Sequence, residues 1–134
     1  MAARYEMTAR IPGTIDDARS RVVEALKSQG FGVLTEIDVQ RTLKEKLGEE
    51  MDPYVILGAC NPVLAHQALK ADPSLGLFLP CNVVLRQVGT DVEVSIIDPE
   101  VMFEVAEPAT RAALSPLAAE ARTRLLAVAA SLEE

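Results

Sequence analysis

Hydrophobic and polar positions alternate at the start of the chain. Tyr5, Met7, Ala9 and Ile11 are interleaved with Arg4, Glu6, Thr8 and Arg10, the period of a strand with one buried and one wet face. Pro12-Gly13 breaks the alternation, and Thr14 with Asp17 three residues on reads as a helix cap with a capping-box-like acid. Ile15, Ala18, Val22, Ala25 and Leu26 then recur at helical spacing, predicting a first helix over residues 15–29 that stops at Gly30. Phe31 to Ile37 reads as a second strand. Val39, Leu43 and Leu47 predict a short surface helix across the end of the sheet, capped by Asp38 and stopped by Gly48.

Tyr54 to Ala59 is the most continuous apolar run, which predicts an interior strand buried on both faces. Asn61 is a capping residue and Pro62 has the fixed φ favoured at a first helical position, so a helix is expected to run from there through Lys70, burying Leu64, Ala65, Ala68 and Leu69. Asp72-Pro73-Ser74 and Gly76 are turn signals leading to Pro80, expected at a strand start. Val83 to Val88 and Asp91 to Ile97 form a hairpin through Gly89-Thr90, a two-residue turn with glycine first. That turn sets Val83 opposite Ile96, Leu85 opposite Val94 and Arg86 opposite Glu93, and carries Cys81 to the core side. Asp98-Pro99 ends the hairpin. Val101 to Pro108 reads as an irregular connection, and Ser115-Pro116 as the start of a long helix to about Leu132, with Leu117, Ala121, Leu125, Val128 and Leu132 inward.

The order β-α-β-α-β-α-β-β-α predicts a single α+β domain over residues 1–134: a four- to five-stranded, mostly antiparallel sheet with helices packed on one face. A chain of 134 residues with 49% hydrophobic content has enough apolar mass for one core. Thirteen basic against twenty acidic residues, a net charge of −7, oppose nucleic-acid binding and leave no basic anchor for anionic lipid. The start Met1-Ala-Ala-Arg-Tyr lacks the pattern of a secretory signal, and no apolar run approaches a membrane span, so a cytoplasmic protein with no membrane or nucleic-acid partner is expected. In that compartment the two cysteines start as free thiols.

The unusual chemistry lies in Cys60-Asn61-Pro62 and the later Pro80-Cys81-Asn82. Cys60 precedes a helix start, where the dipole favours a thiolate, and the same position also suits a small buried hydrophobe. Cys81 enters an apolar strand and has the same two readings. Asn61 is a helix cap first. His66 falls opposite the buried stripe of its helix and lacks the close-spaced partners of a metal site, so no metal and no cofactor are expected. Asp16-Asp17 and Glu49-Glu50 read as first-turn and loop acids, and no phosphate loop or nucleophile elbow is present, which leaves no catalytic residue to name.

Gly58-Ala59-Cys60-Asn61-Pro62, Ala65, Asp72-Pro73, Gly76, Leu79-Pro80-Cys81 and Asp98-Pro99 together resemble domain-of-unknown-function family 302, over nearly the whole chain. The resemblance implies an antiparallel sheet with packed helices of the TATA-binding-protein-like type, without that protein's DNA function, and implies no activity. The expected role is a non-enzymatic module that binds a small apolar ligand, with Val101-Met102-Phe103 over the site, or that self-associates as a homodimer. The alternative is a thiol-based redox or metal-binding site built from Cys60 and Cys81, whose strand ends should lie close together. Cys60, Asn61, Pro62 and Cys81 are the candidate functional residues.

Overall fold

A computed structural model describes residues 4–133; the Met1-Ala2-Ala3 start and Glu134, included in the single-domain expectation, lie outside the described residues. Five strands, β1 (Glu6–Pro12), β2 (Gly32–Asp38), β3 (Tyr54–Cys60), β4 (Cys81–Val88) and β5 (Asp91–Ile97), form one sheet in the order β1-β5-β4-β3-β2. All four pairings are antiparallel. Around it lie α1 (Ile15–Ser28), α2 (Val39–Leu47), α3 (Pro62–Ala71), α4 (Pro99–Met102) and α5 (Pro108–Leu132), with a 3-10 turn at Pro73–Phe78 and another at Phe103–Val105.

One face of the sheet carries the core. Met7, Ala9 and Ile11 of β1, Val92, Val94 and Ile96 of β5, Val83 and Leu85 of β4, and Leu57 and Ala59 of β3 meet Ala18, Val22 and Leu26 of α1 and Leu125, Val128 and Leu132 of α5. Each fully buried Leu, Ile or Val contributes roughly 1.5–3 kcal/mol relative to exposure. The hairpin has the expected register, with Val83 opposite Ile96, Leu85 opposite Val94 and Arg86 opposite Glu93. On the other face Glu93 bridges Arg86 at 3.1 Å and Arg10 at 3.4 Å.

The capping signals locate most helix starts. Thr14 Oγ1 accepts from the Asp17 amide, Asp38 Oδ1 from the Arg41 amide and Asn61 Oδ1 from the Leu64 amide. Gly48 ends α2 at φ 69°, the left-handed conformation that favours glycine.

Four expectations need correction. α5 begins at Pro108, seven residues before the Ser115-Pro116 signal, and Pro116 lies inside it. Pro108 supplies the first-turn proline, and Leu114 and Ala118 are buried against the protein, so packing carries the helix through Pro116. The segment after Asp98 is not irregular, because Asp98 caps α4 by accepting from the Glu100 amide, the same cap-then-proline pattern as Asn61-Pro62. Leu69 stands outside the buried stripe of α3. β3 is interior, with neighbours on both edges, but Tyr54, Val55 and Ile56 are only half-buried, while Leu57, Gly58 and Ala59 are buried.

Candidate functional site

The site is built where the C-terminal end of β3 meets the N-terminal end of β4. Cys60 closes β3, Asn61 caps α3, and Pro62 occupies its first turn. The β3-β4 register sets Ala59, and not Cys60, opposite Cys81, so the two cysteines are offset by one residue rather than a facing pair. Both are free thiols. The expected closeness of the two strand ends is present, for Cys60 and Cys81 line one cavity of about 40 Å³.

Apart from Asn61, its other walls are apolar, supplied among others by Phe31 ahead of β2, Leu64 of α3, Leu79, Phe103 and Leu117 of α5. Of the stretch expected over the site, Phe103 reaches this cavity, and Met102 lines a separate surface cleft with Leu77, Pro80 and Ile97. Phe31, Leu64 and Leu117 were legible as apolar positions but not as neighbours, since they come from three separate elements. Pro62 lines a different, more polar cleft on the far side of Asn61. His66 is exposed and lines neither. Among the described residues no group of three or more His, Cys, Asp and Glu side chains could hold a metal ion. Asp16, Asp17, Glu49 and Glu50 are all exposed and do not converge on this site.

Two effects oppose each other at Cys60. The helix start favours a thiolate, yet burial pushes the Cys60 thiol up from its ordinary value. Burial, then the neighbouring Cys60, pushes Cys81 to about 11. Burial thus works against the thiolate that the α3 start would favour at Cys60, and holds both thiols protonated at neutral pH.

The Cys81 shift has a consequence for stability. Its folded pKa of about 11 lies above the ordinary 9.0, so the folded state holds its proton longer than the unfolded chain. The contribution is fully present below pH 9.0 and is lost as pH rises through about 11. By the 1.36 kcal/mol that accompanies each unit, this removes about 3 kcal/mol at most. Urea melts between pH 8 and 11 should show a steeper decline for the wild type than for Cys81→Ala; parallel declines would contradict it.

The sequence model described as "Domain of unknown function DUF302" matches residues 7–132. The fold is similar to the crystal structure of an uncharacterized conserved DUF302 protein from Bacillus stearothermophilus, at 30% identity and a TM-score of 0.83, covering 96% of this chain and 98% of that one. No curated protein matches.

Proposed function

Since the chain belongs to the DUF302 family, whose name assigns no activity, we propose a reading from its own geometry: it is a non-enzymatic module that binds a small apolar ligand in the cavity beside Cys60 and Cys81. The carrying observation is that cavity. Its volume of about 40 Å³ is several times the roughly 10–15 Å³ that one water needs, yet Phe31, Leu64, Phe103 and Leu117 offer water almost no hydrogen-bonding partner. Two protonated thiols complete a lining that favours apolar matter. The half-buried Cys60 marks the rim.

The thiol-redox reading has the raised thiols against it, because thiolate is the attacking species. Self-association is a second reading, favoured by edge strand β2, where Leu34 is 69% and Ile37 50% exposed. We read the protein as cytoplasmic, where free thiols persist. Among the described residues no helix is long and apolar enough to cross a membrane.

Xenon is the simplest probe of the cavity. In methyl NMR under xenon pressure, Leu64, Leu79 and Leu117 should shift saturably, while Val92, which does not line the cavity, should not. Equal small shifts at all methyls would remove the reading.

A further inference from the structure

Asn61 has a second side. Its Oδ1 accepts from the Leu64 amide at 3.1 Å, which fixes Nδ2 as the remaining polar atom of a side chain only 8% exposed. Nδ2 has no partner among the described residues. Because no sealed side-chain nitrogen or oxygen among them lacks a partner, Nδ2 must reach solvent. It lies beside Gly30, and both residues line a cleft of about 270 Å³ with Pro62, Val63, Gln67, Glu120 and Arg124.

Three residues that line it carry donors. A Cβ built on Gly30 would lie 3.1 Å from Asn61 Nδ2 and 3.1 Å from Arg124 Nη1, so the glycine leaves a notch flanked by both nitrogens. Arg124 uses Nη1 on the Gln29 carbonyl and Nη2 on Glu120, which leaves part of its five-donor fork unused. The third donor is the Val63 amide. In the first turn of α3, Pro62 has no N–H, Leu64 donates to Asn61 Oδ1 and Ala65 to the Asn61 carbonyl, so Val63 alone still offers an amide hydrogen at the positive end of the helix.

From these donors we infer that the cleft is an oxyanion site for the carboxylate of a small organic acid, held by Asn61 Nδ2, Arg124 and the Val63 amide. A monoanion suits it better than a phosphate dianion: Glu120 neutralises the single guanidinium, and a second ligand charge would face that carboxylate. Asn61 and Leu64 line both this cleft and the apolar cavity, but the carboxylate site rests on its own donors and stands whether or not the cavity takes a ligand.

The test is a ¹⁵N NMR titration with acetate and, separately, inorganic phosphate, at constant ionic strength. Acetate should shift the Val63 amide and the Asn61 side-chain NH₂ saturably, with phosphate weaker. Asn61→Asp keeps a good helix cap while replacing the donor with an acceptor, so it should fold normally and lose acetate binding by at least about tenfold. Glu120→Gln removes the competing carboxylate and should tighten acetate. No saturable shift, phosphate binding tighter than acetate, or an Asn61→Asp variant that binds acetate as the wild type does would each overturn the assignment.

Discussion

A chain that stops at Leu114 will not fold cooperatively. The deletion strips Ala118, Ala121, Leu125, Val128, Ala129 and Leu132 from the core and opens the apolar face of β1, on which α5 packs, to water. Three of these, Leu125, Val128 and Leu132, contribute roughly 1.5–3 kcal/mol apiece by burial. Their sum is comparable with the roughly 5–15 kcal/mol by which a domain of this size is stable. Expression of the truncated chain should give insoluble protein, or soluble protein without a sigmoidal urea transition. A graded version separates burial from simple loss of chain. Leu125→Ala, at a fully buried position, should cost about 2–5 kcal/mol, whereas Leu126→Ala, at a position 39% exposed, should stay within about 0.5 kcal/mol. A soluble and cooperative truncation, or equal costs at the two neighbours, would contradict the packing of α5 described above.

Gly58→Ala will be destabilised by crowding rather than by lost backbone freedom. Gly58 sits in β3, flanked by Thr35 of β2 and by Pro80, and a Cβ there would fall 2.1 Å from Thr35 Oγ1 and 2.7 Å from Pro80 Cγ. The hydroxyl can swing aside by a rotamer change, but the proline ring has little room to give. The cost should be about 1–3 kcal/mol, the range for an extra methyl forced into a packed site. Removing the hydroxyl tests the cause: Thr35→Ala in the Gly58→Ala background should recover part of the loss, while Thr35→Ala alone should not stabilise the protein. A double variant no more stable than Gly58→Ala would place the strain at Pro80 alone.

The sheet was legible because its signals are local. Alternation over Tyr5 to Ile11 and the glycine-first turn at Gly89 each act within a few residues, and the second fixed the whole hairpin register. The start of α5 was misplaced for the opposite reason. Ser115-Pro116 is a sound local start signal, but burial of Leu114 and Ala118 on either side of it overrides the proline's missing donor. Leu69 failed because one helix face is wider in sequence than in contact. The site was half legible. Cys60, Asn61 and Cys81 were identified from their unusual spacing, and β3-β4 pairing brings them to one end of the sheet. Phe31 and Leu117 carried no mark of the site beyond being apolar, whereas Phe103 belonged to the stretch expected over it. Arg124 and Gly30 could not be linked to Asn61 without the tertiary fold, for they lie on α5 and in the turn before β2. The direction of the thiol shifts was also out of reach, since it depends on how completely the helix start is desolvated.

Xenon titration of the wild type beside Ala65→Leu decides whether the cavity beside Cys60 and Cys81 accepts a small apolar ligand. Ala65 lines the cavity from the half-buried side of α3, so the larger side chain should fill it without opening the core. Saturable methyl shifts are expected at Leu64, Leu79 and Leu117 in the wild type, and their loss in a variant that remains folded. Absence of site-specific shifts in the wild type, or their persistence in a folded Ala65→Leu, would contradict that reading.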